Sequence, residues 1–419
     1  MNKVLSTFSL GLMLTTASWA NTSLTQDFKS LLTKYKVGTL ANQAYCYKDT
    51  QGSIGGHQIS KLMPIASVTK LFTTYFATEL LDLNKRYTTK IYIKGDALHI
   101  EGGNDPYFEE EKMLLMIRAL NAQGYSDFKT ITFDKNFKFS DLALGEYQVL
   151  STSHIGSKIA TYMNTESYKT YIQTKWKAIS KFADEEGVRL ESDPALKMKA
   201  SLVRFTEMNP IGEGAEIILT HKSLPLHRLL KSMNVMSKNL VSHYIFDEAA
   251  QIQSFNSFMK SRGFDTTKMA FYNGSGLPVK TGKIRKDNLT TCTIVLDLIQ
   301  KLHQSILSKG FLPQDIIAVN GGQDNGSFRE RFLNFPETHR AVLSKTGTLA
   351  VASALSGTLL TLSGEIQFSV LNKPNSSSAA RKFQDNFVAR MFHHLGEAAP
   401  IPYEKISIFP WDDSTFFEI

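Results

Sequence analysis

The stretch Pro64-Ile-Ala-Ser-Val-Thr-Lys70 constrains the fold of this chain most strongly, because it introduces a long segment with helical periodicity. The apolar residues after it recur at the spacing of one helix face: Leu71, Phe72, Tyr75, Phe76, Leu80 and Leu81. A proline is tolerated just ahead of a helix, so we predict a helix that begins after Pro64 and ends near Asn84. Ser67 then lies in the first turn, with Lys70 on the same side.

This spacing of Ser67 and Lys70 has a chemical meaning. A serine hydroxyl is a weak nucleophile until a neighbouring group takes its proton. An unprotonated lysine amine one turn away can take that proton, and the positive end of the helix dipole favours the neutral amine. The same dipole stabilises an oxyanion formed at the serine. The stretch therefore predicts a nucleophile, Ser67, and its general base, Lys70.

Ser-x-x-Lys is a short pattern, and two more motifs give it weight. Ser237-x-Asn239 falls at a break between two predicted helices, and Lys345-Thr346-Gly347 lies on the first strand of a predicted β-hairpin. Each pattern also occurs elsewhere: at Ser126–Lys129, Ser257–Lys260, Ser232–Asn234, Ser254–Asn256 and Lys280–Gly282. The strand context favours Lys345 over Lys280, which falls in a polar loop after a tight turn predicted at Gly274-Ser275-Gly276. The three motifs in this order are typical of active-site-serine penicillin-binding proteins and serine β-lactamases.

The N-terminal residues differ from the rest of a chain of 419 residues that is 42% hydrophobic and has room for two or more domains. Lys3 precedes a mostly apolar run from Val4 to Leu14. Ser18-Trp-Ala20 places small residues at the positions that signal peptidase recognises. We predict a secretory signal peptide, residues 1–20, cleaved after Ala20. A membrane anchor is the alternative, and it is disfavoured because the apolar run is short for a transmembrane helix. No later apolar run reaches ~18 residues, so we expect no transmembrane segment after signal removal.

The charge and the cysteines bound the possible partners. The formal net charge of +8 suits an anionic polymer such as a cell wall or a membrane surface, although general basicity explains it equally well. Lys and Arg are scattered, so we expect no nucleic-acid partner, and without any zinc-ligand spacing we expect no metal and no cofactor.

Cys46 and Cys292 could form a disulfide in an oxidising compartment or remain buried thiols, since the sequence does not set their distance.

Helix-like and strand-like segments organise the rest of the chain. Residues 90–223 separate the first motif from the second and are interpreted as an insertion with its own small core. The segment 320–332 predicts a turn that leads into a short helix, and helices are expected at about 290–308 and 378–395. Residues 401–419 form an aromatic and acidic tail.

Longer matches identify a family. The chain resembles the D-alanyl-D-alanine carboxypeptidase/endopeptidase family of class C low-molecular-mass penicillin-binding proteins, and the order of the matches is kept across most of residues 60–390. The matching stretches are Met63–Lys70, Ile100–Pro106, Ser223–Leu240, Asn273–Leu277, Asn325–Phe332 and Ser344–Leu349. The chain departs from the family pattern at Lys238, where an acidic residue is usual, at Asn104 and at Asn273.

The resemblance implies an α+β fold of the β-lactamase/transpeptidase type, which is an antiparallel sheet flanked by helices with an all-helical lobe. Residues 21–89 and 224–400 would make the penicillin-binding domain. Residues 90–223 would be a domain inserted between the first and second active-site motifs, as is usual in this family.

The resemblance also implies a serine D-Ala-D-Ala carboxypeptidase that acts on peptidoglycan stem peptides through an acyl-enzyme and can also cleave crosslinks as an endopeptidase. The implied catalytic residues are Ser67, Lys70, Ser237, Asn239 and Lys345, and the implied substrate-binding residues are Thr346, Gly347 and Thr348. Asn239 would orient Lys70, and Ser237 with Lys345 would pass a proton to the leaving amine. β-Lactams would act as covalent inhibitors, and the expected location is the periplasm after export.

Two alternatives stay open from the sequence. A serine β-lactamase shares the constellation but deacylates rapidly, and no glutamate here lies in a recognisable deacylation motif. A non-catalytic cell-wall-binding family member would be expected to have lost at least one of the five catalytic residues, all of which are present.

Overall fold

The structure is a computed structural model that describes residues 23–139, 151–190, 194–212, 214–321, 324 and 326–410. The predicted signal peptide, with its cleavage site after Ala20, lies outside these residues, as does the end of the predicted C-terminal tail. Among the described residues, none of the helices combines the length and the apolar character needed to cross a bilayer.

The helices within the described ranges have the following bounds. They are α1 (23–35), α2 (Thr69–Leu80), α3 (Glu110–Ala122), α4 (Thr152–Tyr162), α5 (Lys169–Glu185), α6 (Leu226–Met236), α7 (Asn239–Ile252), α8 (Phe255–Ser261), α9 (Cys292–Ser308) and α10 (Ser377–Leu395).

The strands follow the same chain order. They are β1 (Gln43–Lys48), β2 (Ile54–His57), β3 (Met63–Pro64), β4 (Thr88–Lys94), β5 (Ala97–Glu101), β6 (Asp127–Phe133), β7 (Lys199–Phe205), β8 (Glu216–Lys222), β9 (Met269–Ala270), β10 (Val279–Thr281), β11 (Ile284–Lys286), β12 (Leu289–Thr290), β13 (Val342–Leu349), β14 (Ala352–Thr361) and β15 (Gly364–Asn372).

The chain forms two compact units. The first comprises residues 23–81 and 233–406, and the second comprises residues 82–232 and 407–410. All residues of the three predicted active-site motifs belong to the first unit.

A five-stranded sheet in the order β13-β14-β15-β1-β2 forms the centre of the first unit, and all of its pairs are antiparallel. Successive side chains of a strand point to opposite faces, so β1 has a partner on each side. Tyr45 packs against Phe28 of α1 and Phe387 of α10, with ring centroids 4.5 and 4.8 Å apart. Its neighbour Cys46 forms a disulfide with Cys292 at the start of α9. The sheet is therefore flanked by helices on both faces, and the pairing that the sequence left open is present.

The helical part of the first unit surrounds α2, which packs against α7 and α9. Phe76 of α2 lies at the centre of an aromatic cluster with Phe246, Phe255 and Phe258, at centroid distances of 5.0 to 5.4 Å. The antiparallel sheet, its flanking helices and this helical lobe confirm the predicted α+β fold.

The second unit contains a mixed sheet in the order β7-β6-β5-β4-β8. The pairs β5–β6 and β6–β7 are parallel, whereas β4 is antiparallel to both of its neighbours. A buried core that includes Ile131, Leu114 and Trp176 joins this sheet to α3 and α5. Asp105 forms a buried ion pair of 2.5 Å with Lys112 and accepts the backbone N–H of Tyr107. The unit thus has a hydrophobic core of its own.

Three local predictions are wrong at the level of element bounds. Helix α2 ends at Leu80, not near Asn84, because the Asp82 side chain accepts the Asn84 backbone N–H and closes a local turn that competes with the helix. The described part of 320–332 contains isolated turns and no helix, with Phe332 at a φ of +60°. Lys280 lies on β10, which pairs with β11, and not in a loop.

Candidate active site

Ser67 lies in a short 3-10 turn, Ala66–Val68, that directly precedes α2. Ala66 has a φ of +46°, and the Val68 backbone N–H donates to the Ile65 carbonyl at 3.0 Å, so the chain turns sharply before the helix begins at Thr69. Lys70 is consequently in the first turn of α2, and its Nζ lies 3.1 Å from Ser67 Oγ. The two side chains therefore lie on the same side at the start of the helix, as predicted, although Ser67 is just outside the α-helix.

The Lys70 amine is fully buried and has two further partners. It donates to Asn239 Oδ1 at 2.8 Å and to the Ser275 backbone carbonyl at 3.1 Å. Burial, and then the nearby charge of Lys345, lower the pKa of Lys70 well below its usual value, which favours the neutral amine. A neutral amine has two N–H donors and one lone pair. Because Asn239 Oδ1 and the carbonyl are acceptors, the lone pair is left for the hydroxyl proton of Ser67.

A second lysine–serine pair lies opposite the first. Lys345 of β13 is also fully buried, and its Nζ donates to Ser237 Oγ and to the Thr346 carbonyl, both at 3.0 Å. Burial lowers the pKa of Lys345 to about 7, so both protonation states are accessible near neutral pH. Ser237 stands between the end of α6 and the start of α7, and its φ of +58° turns the chain there.

The edge position of β13 brings the third motif beside Ser67. One edge of β13 pairs with β14, and the start of its other edge, up to Ser344, bonds to the segment 318–320. Among the described residues no strand pairs with that second edge from Lys345 onward, so this part is available to an extended peptide. A Cβ on Gly347 would come within 2.7 Å of the Ile65 carbonyl and 3.0 Å of the Ser67 N–H, which explains why glycine stands there. Thr346 and Thr348, two residues apart, belong to one face of the strand. Thr346 is half-buried and Thr348 is exposed.

The turn at residues 273–277 supports the site through its backbone. Asn273 Oδ1 accepts the backbone N–H groups of Ser275 and Gly276 at 3.1 and 2.8 Å, and the Thr73 hydroxyl donates to the Gly274 carbonyl at 2.6 Å. These bonds direct the Ser275 carbonyl toward the lysine amine of α2. The tight turn is predictable from the glycines, but nothing in the sequence indicates that one of its carbonyls contacts Lys70.

The structure thus brings Ser67, Lys70, Ser237, Asn239 and Lys345 together, with Thr346, Gly347 and Thr348 along the adjoining strand. The roles of these residues stay predictions. Taken alone, the geometry can activate a serine hydroxyl with one lysine and supply a proton through a second serine–lysine pair.

Comparison with known proteins gives a family model and several relatives. The model of the D-Ala-D-Ala carboxypeptidase 3 (S13) family matches residues 27–145 and 196–393. A D-alanyl-D-alanine carboxypeptidase from Actinomadura sp. (strain R39) is 25% identical over 199 residues, which cover 45% of this chain and 36% of that protein. The chain therefore matches about a third of the length of that curated relative.

Two solved structures from Bdellovibrio bacteriovorus have a similar fold. The Bd0816 predatory endopeptidase, in complex with the immunity protein Bd3460, has a TM-score of 0.78 at 22% identity, over 90% of this chain and 99% of that chain. The penicillin G acylated Bd3459 predatory endopeptidase, in complex with the same immunity protein, has a TM-score of 0.73 at 23% identity, over 89% and 98%.

Proposed function

Because the chain belongs to the D-Ala-D-Ala carboxypeptidase 3 (S13) family, we propose that it is a serine D-Ala-D-Ala carboxypeptidase that acts on peptidoglycan stem peptides through an acyl-enzyme. The same site would also cleave crosslinks as an endopeptidase. One observation carries the proposal: the buried Lys70 amine lies 3.1 Å from Ser67 Oγ, with its N–H groups directed to two other acceptors.

In the acylation step, Ser67 Oγ bonds to the carbonyl carbon between two D-alanines while its proton passes to the Lys70 amine. The carbonyl oxygen becomes an oxyanion, which the backbone N–H groups of Ser67 and Thr348 would stabilise. Each donor of this kind is worth about 3 kcal/mol in the transition state. Thr346 and Thr348, with Lys345, would hold the terminal carboxylate of the substrate.

The collapse of this intermediate breaks the carbon–nitrogen bond and releases D-alanine. The departing amine takes a proton from the Ser237 hydroxyl, and the Lys345 ammonium, 3.0 Å away, replaces it. The oxygen of a water molecule then bonds to the ester carbon, the bond from that carbon to Ser67 Oγ breaks, and Lys70 returns its proton to Oγ. The proton released by the water restores the Lys345 ammonium, and the new carboxyl end is freed. Asn239 would keep the Lys70 amine in place through both steps.

A β-lactam would be trapped at the acyl-enzyme stage. The ring amide opens when Ser67 attacks, and the former leaving group remains attached to the acyl product. Penicillin G acylates the Bd3459 endopeptidase, whose fold this chain shares, and this supports the same reaction here.

The proposal is tested by covalent labelling. The protein is incubated with a fluorescent penicillin, and the labelled peptide is mapped; the label is expected on Ser67. Ser67→Ala and Lys70→Ala should abolish labelling while the thermal melting temperature is kept. Ser257→Ala is the matched control, since Ser257 and Lys260 have the same spacing on α8, and it should label like the wild type. Equal labelling of Ser67→Ala and the wild type would refute the assignment.

The bond that is cleaved requires a second measurement. Purified cell wall is digested with the protein, and the products are identified by mass spectrometry. Release of free D-alanine from pentapeptide stems indicates the carboxypeptidase, and conversion of crosslinked dimers to monomers indicates the endopeptidase. Formation of neither product, with Ser67 still labelled, would exclude peptidoglycan as the substrate.

The substrate lies outside the cytoplasm, so the proposal includes export to the periplasm with residues 1–20 as the signal peptide. It also assigns residues 21–89 and 224–400 to the penicillin-binding domain and 90–223 to the insertion, ahead of a tail at 401–419. N-terminal sequencing of the secreted protein should begin at Asn21. A mature chain that retains Met1 would contradict the signal assignment.

A further inference from the structure

A surface cavity of about 390 Å³ lies beside the strand that carries the third motif. Thr346 and Thr348 of β13 line one part of it. The remaining lining comes from residues 326–327 and 329–331 and from Ser378, Arg381, Lys382 and Asp385 of α10. All of these residues belong to the first unit.

The lining of the cavity carries an excess of positive charge. Arg331 is buried, and its Nε donates to Asp385 Oδ1 at 2.6 Å, so these two charges balance each other. The other charged residues of the lining are three cations, Arg329, Arg381 and Lys382, against one carboxylate, that of Glu330. A cavity with this balance attracts anionic groups.

Arg381 connects this charge to the substrate-binding strand. Its Nη2 donates to the Thr348 hydroxyl at 3.4 Å, and its guanidinium is exposed to solvent. In the proposed reaction, Thr346 and Thr348 hold the carboxylate of the leaving residue. A leaving residue bound there has the cationic cavity next to it, since both threonines line that cavity and Ser67 does not.

Leaving groups differ in how many carboxylates they can present to this cavity. A terminal D-alanine has one, which the threonines already take. In a crosslink, the leaving residue continues into a second stem peptide, whose further carboxylates lie beyond the first. Arginine and lysine at the cavity are suited to bind such a group.

We propose that the cavity lined by Arg381 and Lys382 is a leaving-group subsite for a second carboxylate, and that it directs the enzyme toward crosslinked peptides. This inference rests on the proposed function, because it takes the threonine-bound group to be the leaving residue. Exposed ion pairs contribute modestly, so the expected preference is about fivefold in kcat/KM. Salt should reduce it, since the cations are open to solvent.

Three matched peptides test the subsite. Each has the same N-acylated stem ending in D-Ala-X, where X is D-Ala, D-Gln or D-Glu. D-Gln and D-Glu have the same shape and differ in the charge of the side chain. The wild type is expected to hydrolyse the D-Glu peptide with a kcat/KM about fivefold higher than the D-Gln peptide. In Arg381→Gln this ratio should fall to about one, mainly through a higher KM for the D-Glu peptide.

Arg390→Gln is the control, because Arg390 is an exposed arginine of the same helix that does not line the cavity. It should keep the wild-type ratio. A wild-type ratio of one, or a ratio that Arg381→Gln leaves unchanged, overturns the subsite. An equal loss on all three peptides also overturns it, since Arg381 would then serve the terminal carboxylate.

Penicillin labelling separates this result from the underlying function. If Ser67 is labelled and the D-Ala peptide is hydrolysed, but the D-Glu and D-Gln peptides have equal kcat/KM, only the subsite is refuted. If Ser67 is not labelled and no peptide is hydrolysed, the proposed function fails and the subsite fails with it.

Discussion

Gly276 offers the sharpest test of how the fold positions Ser67, the proposed nucleophile. It has a φ of +82°, and a Cβ at this position would lie 1.9 Å from the Ala66 carbonyl oxygen. Ala66 is the left-handed residue directly before Ser67, so the two backbones meet at the turn that carries Ser67. The substitution Gly276→Ala must therefore move one backbone against the other.

The size of the effect follows from this distance. Real Cβ atoms essentially never approach another heavy atom closer than 3.0 Å, so the two segments must separate by about 1 Å. A displacement of about 1 Å at reacting atoms costs on the order of a hundredfold in rate. The left-handed conformation adds a stability cost of about 1–2 kcal/mol for any residue with a Cβ.

Gly310 separates the two contributions. It follows α9, has the same φ of +82°, and a Cβ there would meet nothing within 4 Å. Gly310→Ala therefore carries the conformational cost of about 1–2 kcal/mol without the collision. Both variants should unfold at a lower temperature than the wild type, but only Gly276→Ala should lose activity.

The measurement is the second-order rate constant for acylation by a fluorescent penicillin, at a temperature where circular dichroism shows both variants folded. We expect a decrease of about a hundredfold for Gly276→Ala and less than about twofold for Gly310→Ala. If folded Gly276→Ala acylates within about threefold of the wild type, the position of Ser67 does not depend on this contact, and the reasoning is refuted.

Three further predictions follow from buried groups. Burial lowers the pKa of Lys345 to about 7, so its ammonium is lost as the pH rises through that value. We therefore expect kcat/KM for peptide hydrolysis to fall on the alkaline side, and a profile that stays flat to about pH 9 contradicts the role of Lys345 as the proton donor. The Cys46–Cys292 disulfide spans 246 residues, so the double alanine variant should lose up to about 5 kcal/mol of unfolding free energy in urea, and a loss below about 1 kcal/mol contradicts this. Arg331→Met leaves the Asp385 carboxylate without its buried partner and should cost about 3 kcal/mol in the same assay, whereas Arg331→Met combined with Asp385→Asn should recover part of that loss.

The elements that the sequence predicts well are those with a periodic apolar face and a capping residue. Helix α9 was expected at about 290–308 and covers Cys292–Ser308, after Thr291 accepts the Ile294 backbone N–H as its N-cap. Helix α10 was expected at about 378–395 and covers Ser377–Leu395, with Ser376 as its N-cap. In both cases, the N-cap side chain and the apolar face of the helix predict the same starting residue to within about two positions.

The sequence fails where distant segments decide the local structure. Pro64 looks like a helix-starting proline, but it pairs with Leu289 in a short strand, and the α-helix begins only at Thr69. The left-handed Ala66 has no marker in the sequence, because alanine does not favour that conformation. The disulfide is a similar case, since its cysteines meet only after β1 joins the sheet and α9 packs on it.

The candidate site shows the same division between side chains and backbone. The motifs name the side chains, and their order along the chain made it possible to predict that Ser67, Lys70, Ser237, Asn239 and Lys345 form one site. Yet a neutral Lys70 with its lone pair toward Ser67 also depends on the Ser275 carbonyl, which takes one of its N–H groups. Every residue has a carbonyl, so no sequence pattern can mark the one that acts. A general base is therefore recognisable from sequence as a residue type, whereas its readiness to accept a proton depends on the turn packed behind it.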